Sequence, residues 1–261
     1  MFDSLLYEVK DGVAIIQINR PEVSNAFSEV TYGEIADAMH KADADANVKA
    51  VIITGVGKTF CAGGDVKYFS KIAQSGEGIP ESDVILTGTM VRSVKSNSKP
   101  VVAAVNGVAA GAGAGLALAC DFLVFGENTK LLPAFTQMAF PGDTNLIYLL
   151  QQSIGNYRTT RHVMLNEPIT AELAREYGIA YDVVADGDVL EAAMTLAEKF
   201  NQTPSLAIAS QKSLMNEFVF SEIEPFNEKE AVYMNEASLS GDHKEAVQAF
   251  MEKRKPTFKG M

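Results

Sequence analysis

At 261 residues, with 47% hydrophobic and 21% charged side chains, the chain can bury one substantial core, and its composition is neither fibrous nor disordered. A formal net charge of −11 disfavours a nucleic-acid surface, which depends on basic patches. Two cysteines, Cys61 and Cys120, give neither a disulfide framework nor a metal-ligand spacing; they read as buried thiols of a reducing, cytoplasmic setting.

Taken in order, Leu6–Lys10 and Val13–Asn19 read as strands joined by the Asp11-Gly12 turn. Thr31 and Glu34 have capping-box spacing, and Ile35, Ala38, Met39 and Ala42 follow at helical spacing, so a helix is expected to run to about Ala44. Ala50–Thr54 is a strand that enters a turn, Phe60-Cys61-Ala62-Gly63-Gly64-Asp65. The polar stretch 74–83 reads as a loop, either a plain surface loop or a flap over what precedes it. A helix to about Ser98 leads to a buried strand, Val101–Val105, and then to Asn106-Gly107 and a run built almost wholly of Gly and Ala. Residues 100–120 are the most apolar stretch. Their glycines, with Asn106 and Asp121, argue for core rather than a membrane span of ~18 residues. The N-terminus has neither the basic start nor the apolar length of a signal peptide.

Phe122–Gly126 and Lys130–Leu132 are strands, and a turn at Pro141-Gly142 precedes a helix. Val189, Ala192, Ala193, Leu196, Ala197 and Phe200 form one apolar helical stripe. Beyond Thr203-Pro204 only helices are expected. The chain is therefore divided into an αβ core, 1–200, and a helical region, 201–261.

Each of the two glycine-rich turns leads from a strand into a helix. Unpaired amides at a helix start form a donor site for an oxyanion, and small residues let a ligand approach the backbone. Close helix packing is the other use of such residues. Two turns of this kind allow two amides to point at one oxygen.

The pieces Asn19-Arg20-Pro21, 60–65, 99–107, 111–121 and the ending 251–260, in this order, resemble the enoyl-CoA hydratase/isomerase (crotonase) superfamily. The resemblance implies an α/β fold: a crotonase-like spiral of ββα units with a C-terminal helical trimerisation region, assembled as a homo-trimer or a dimer of trimers. It implies an acyl-CoA thioester as substrate, with no separate cofactor and no metal. The thioester oxygen is expected between the amides of Gly64 and Ala112. Arg20, Ala62, Lys67, Phe250 and Lys253 match positions near the CoA, with surface or core roles as the alternative for each.

The superfamily's hydratases use two glutamates. Their positions fall here at Gly115 and near Ala134-Phe135, where nothing ionises. The one nearby carboxylate is Asp143. It matches the turn at which the superfamily's isomerases carry a proton-shuttling acid, and an apolar setting raises such a carboxyl towards a useful range. Capping of the following helix by Asp143 or Thr144 is the competing role. Asp65 is read as a helix cap, Asp121 and Glu127 as structural, and His40 and His243 as helix-surface residues. His162 lies in a helix without a nucleophile partner, so no triad is supported. The expected activity is Δ3-Δ2-enoyl-CoA isomerisation. Hydration, acyl-CoA hydrolysis, isomerisation of ring-derived acyl-CoAs and acyl-CoA binding without turnover are the alternatives.

Overall fold

The computed structural model describes residues 2–260. Two strands, β1 (Leu5–Lys10) and β2 (Val13–Ile18), form an antiparallel hairpin. Its turn residues, Asp11 and Gly12, both take positive φ (50° and 80°), the twist that matches flanking strands. Helix α1 (Glu29–Ala44) leads to β3 (Ala50–Gly55), parallel to β2. Helices α2 (Val66–Ser75) and α3 (Glu81–Lys95) precede β4 (Val101–Val105) and β5 (Val108–Ala110). Then come α4 (Ala112–Ala119), β6 (Phe122–Gly126) and β7 (Lys130–Leu132), followed by α5 (Leu146–Ile154) and α6 (Asn156–Leu165). A short strand, β8 (Ile169–Thr170), adjoins α7 (Ala171–Glu176), and β9 (Asp182–Val184) is followed by α8 (Val189–Glu198). Three helices complete the chain, α9 (Ser205–Phe218), α10 (Ile223–Ser238) and α11 (Gly241–Met251).

The strands form two sheets. One has the order β1-β2-β3-β4-β6-β9 and is parallel apart from the hairpin; the other has the order β5-β7-β8. Successive turns of the chain place one strand in each sheet: β4 then β5, and β6 then β7. Cys61 extends the second sheet by a parallel bridge to Ala109. This is the spiral that the sequence resemblance implies.

Alternation along the strands supplies both faces of the large sheet. Val13, Ile15, Ala50, Ile52, Val102, Ala104 and Val124 pack under α8 against Val189, Ala193, Leu196 and Ala197. Ala14, Ile16, Ile18, Val51, Ile53, Val101, Ala103 and Val105 face the main core with α1, α3 and α4. The stripe predicted for 189–200 is thus the cover of one face.

Three local expectations are corrected. The capping box of α1 is Ser28 with Thr31, whereas Glu34 accepts the amides of Asp3 (2.5 Å) and Ser4 (2.8 Å). The stretch 74–83 is shorter as a loop than expected, because α2 runs to Ser75 and α3 begins at Glu81. His243 is fully buried rather than on a surface. Its Nδ1 lies 2.9 Å from the Met138 carbonyl oxygen, and its ring stacks on Phe140 at 4.2 Å. Among the described residues no helix is long and apolar enough to cross a membrane.

Candidate active site

The first glycine turn is held on two sides. Cys61 donates its N–H to Val108 O (3.1 Å) and accepts from Ala110 N–H (2.9 Å). On the other side, Phe27 donates to Gly63 O (2.8 Å) and accepts from Asp65 N–H (2.9 Å). A parallel bridge uses the groups on either side of the bridged residue, so the N–H of Gly64 faces away from Phe27. No protein acceptor receives it among the described residues.

The second turn is built alike. Gly111 takes φ 49°, a left-handed value suited to glycine, and donates to Leu132 O (2.9 Å). The next residue, Ala112, opens α4, and its N–H likewise has no protein acceptor. The Cys61–Ala109 bridge sets the two turns side by side, with Gly64 and Ala112 each three residues beyond it. The glycines just before them touch: a Cβ on Gly63 would lie 3.8 Å from the Gly111 Cα and 3.0 Å from Ala110 O. Ala112 is only 2% exposed, so its methyl packs into the protein.

A cavity of about 110 Å³ opens beside the first turn, lined by both Gly64 and Asp143 together with Phe27, Tyr32, Tyr68, Phe69, Asp83, Val84, Thr87 and Met234. Asp143 is 6% exposed, and its Oδ1 has no hydrogen-bond partner. Burial pushes its carboxyl up to about 7, with the adjacent Thr144 hydroxyl pulling weakly the other way. The backbone behind it is strained: Gly142, Thr144 and Asn145 all have positive φ, and Thr144 is β-branched. Thr144 N–H donates to Thr87 Oγ1 (3.2 Å), and its hydroxyl donates to Asp143 O (2.7 Å), which pins the turn.

The capping role for these side chains does not hold. The residue preceding α5 is Asn145, no side chain caps that helix, and Asp143 contributes only its carbonyl, to Leu146 N–H (3.1 Å). Thr144 instead fills the space beside Gly115. A Cβ on Gly115 would lie 2.1 Å from Thr144 Oγ1 and 2.6 Å from its Cβ. The hydratase glutamate position is therefore closed sterically as well as chemically.

Other predicted residues fall as follows. Asp65 caps α2 through Lys67 N–H (3.0 Å) and pairs with Arg20 at 3.2 Å. Arg20 also donates to the Ala26 carbonyl, so its guanidinium braces the first turn. Ala62, Lys67, Phe250 and Lys253 are exposed. Asp121 pairs with Lys212 at 2.5 Å and accepts Val101 N–H at 2.8 Å, a structural role. His162 is buried between Glu167 O and the Tyr177 hydroxyl. Cys61 and Cys120 are free and buried, and burial pushes both thiols up to about 12.

Sequence reasoning missed Tyr32 and Glu230. Tyr32 lines the cavity from α1, and burial, then the nearby Asp143, raise its hydroxyl well above the ordinary range. Glu230 reaches the Asp143 turn from α10: its Oε2 accepts Asn145 N–H (3.1 Å) and the Asn227 side-chain amide (3.4 Å). Neither residue stands in a local motif.

The family model for enoyl-CoA hydratase/isomerase matches residues 8–261. The chain belongs to the enoyl-CoA hydratase/isomerase family. It is 31% identical over 265 residues to the 1,2-epoxyphenylacetyl-CoA isomerase of Escherichia coli K12, covering 100% of both chains. It is 32% identical to a probable enoyl-CoA hydratase of Rhodobacter capsulatus, covering 99% of each. An enoyl-CoA hydratase structure from Mycobacterium avium subsp. paratuberculosis superposes with a TM-score of 0.88 at 28% identity, over 98% of both chains. Family membership and fold are thereby shown. Relatives named as isomerases and as hydratases match it equally well, so the reaction has to be argued from the site.

Proposed function

We propose that this acyl-CoA enzyme is a Δ3-Δ2-enoyl-CoA isomerase. The amides of Gly64 and Ala112 hold the thioester oxygen. Asp143 takes a proton from C2, the charge moves through the dienolate to that oxygen, and Asp143 returns the proton to C4. The double bond moves into conjugation, and no group is lost or gained. One carboxyl suffices for this work, and no metal or redox cofactor is required. Hydration, in contrast, has to position a water, and neither position that would do so in the hydratases carries a carboxylate.

The observation that carries this reading is one cavity shared by an unpartnered Asp143 oxygen and a Gly64 whose N–H has no acceptor. Fixed amides stabilise charge where it develops, each by roughly 3–4 kcal/mol in well-measured cases. Exposed Lys67 and Lys253 supply cations for the CoA phosphates, with Ala62 and Phe250 beside them, and Arg20 acts by bracing Asp65. The helical region assembles the chain as a trimer or a dimer of trimers.

The test compares 3-hexenoyl-CoA with 2-hexenoyl-CoA, following absorbance of the conjugated thioester. Asp143→Asn is expected to lower conversion of the 3-enoyl substrate by about 10²–10⁴-fold while the protein stays folded. Turnover within a few-fold of the parent would remove Asp143 from the mechanism.

A further inference from the structure

Glu230 is the second buried carboxyl at this site, and no reading of the family motifs assigns it a role. Helix α10 reaches the Asp143 turn because α3 carries Gly88 where the two helices meet: a Cβ there would lie 2.0 Å from Asn227 Oδ1. Glu230 is 7% exposed. Its Oε2 receives the Asn145 amide and Asn227 Nδ2, whereas its Oε1 has no partner.

The hydrogen-bond inventory around it does not balance if both carboxyls are ionised. Asp143 Oδ1, Asn145 Oδ1, Asn227 Oδ1 and Glu230 Oε1 are all buried acceptors without a donor. A proton on Glu230 turns one of the four into a donor. The cavity offers no cation in place of that proton, because no lysine, arginine or histidine lines it. The titratable groups around the two carboxyls are Glu29 and Tyr32 on α1, Cys61 and Asp65 in the first turn, Tyr68 on α2, Asp83 on α3 and His243 on α11, and Asp65 is already paired with Arg20. None of them supplies a fixed positive charge: burial holds His243 below its ordinary range, and Tyr68 already donates to Asp83 (2.5 Å). Two like charges in such a site cannot both form near neutral pH. Burial first, and the Asp143 charge second, raise Glu230 well above the carboxylate range.

We propose that Glu230 is a positioning residue that keeps its proton while Asp143 acts as the base, and that its ionisation at alkaline pH shuts the site. Protonated, it holds the 143–145 turn through the Asn145 amide and adds no charge beside Asp143. Ionised, it sets a second negative charge against both Asp143 and the developing dienolate, which slows C2 deprotonation. The inference rests on the reading of Asp143 as proton carrier.

The test is the pH profile of kcat for 3-hexenoyl-CoA in the parent and in Glu230→Gln and Glu230→Leu. The parent is expected to give a bell, its acid limb from Asp143 and its alkaline limb from Glu230. Gln mimics the protonated acid, so Glu230→Gln should retain the acid limb and lose the alkaline one. Glu230→Leu, without an acceptor for the Asn145 amide, should fall about tenfold or more at every pH. An alkaline limb missing from the parent, or unchanged in Glu230→Gln, would overturn the proposal. Infrared difference spectra across the same titration give a readout that does not need turnover. With Asp143, itself titrating at about 7, removed, a protonated-carboxyl band present near neutral pH in Asp143→Asn should be absent from the double variant Asp143→Asn with Glu230→Gln, and an Asp143→Asn protein without that band is equally fatal. Full activity in Asp143→Asn would instead sink the isomerase mechanism itself, so the two failures are distinct.

Discussion

Asp143 shows how one side chain couples chemistry to stability. Its Oδ1 has no hydrogen-bond partner, and burial outweighs the opposing pull of the Thr144 hydroxyl and favours the neutral form. The ordinary value of 3.8, which the unfolded chain keeps, rises to about 7 in the fold. Between those values the folded protein holds a proton that the unfolded chain has released, and stability therefore falls as pH rises. At about 1.4 kcal/mol per pH unit, the loss across that window is on the order of 4 kcal/mol. Asp143→Asn has no such proton to lose. Denaturation measured at a series of pH values should find the variant and parent alike near the lower limit. The variant's advantage should widen up to about pH 7 and level off above it. A gap that stays constant with pH would show that Asp143 is ionised, or solvated, in the folded protein. The same strained turn makes the residue usable: Thr144 and Asn145 in left-handed conformations aim the carboxyl at the cavity, and Thr87 and Glu230 hold them there.

At the scale of elements, the site is a meeting of two strand-to-helix turns, and the α4 turn can be tested by removing a donor without removing the helix. Proline is tolerated at the first helical position because the N–H lost there has no intrahelical partner. Ala112→Pro therefore deletes one of the two proposed thioester donors while leaving α4 in place. The expected result is a fall in kcat of about 10²–10³ with a nearly unchanged circular dichroism spectrum. Activity close to the parent's would show that the thioester oxygen lies elsewhere. These turns were legible in the sequence because glycine at 63, 64 and 111 and the strands before them are local signals. So were the hairpin, the α8 stripe and Asp143 at its Pro-Gly turn. Glu230 was not, because it reaches the site only through the packing of α10 on α3, which no spacing within α10 encodes. The buried setting of His243 has the same origin: α11 lies against α2 and the 135–138 turn, and Phe69 and Phe140 enclose the ring. The misread cap of α1 was a choice between two valid patterns one turn apart. The chain resolved it by giving Glu34 the amides of Asp3 and Ser4, a contact across 30 residues or more.

For the whole molecule, the cavity and the apolar surface lie on different parts of the chain. The residues lining the cavity come chiefly from α1, the first turn, α2, α3, the Asp143 turn and α10. Helix α9 contributes none of them and leaves Leu206 82%, Leu214 58% and Phe218 77% exposed. Clustered apolar side chains on one helix of a chain with net charge −11 are the kind of surface that association covers. If α9 carries the proposed trimer contact, light scattering should give the mass of three or six chains, and more salt should not lower it, because screening weakens repulsion between acidic copies. Leu206→Asp combined with Phe218→Asp should shift the protein to a monomer. If the residues that one chain contributes to the cavity suffice for the chemistry, the dispersed variant should keep kcat within a few-fold. KM for the CoA substrate would rise if a neighbouring copy helps to hold the nucleotide end. A parent that is monomeric at micromolar concentration would refute the assembly, and a large fall in kcat on dispersal would show that the neighbouring chain shapes the site.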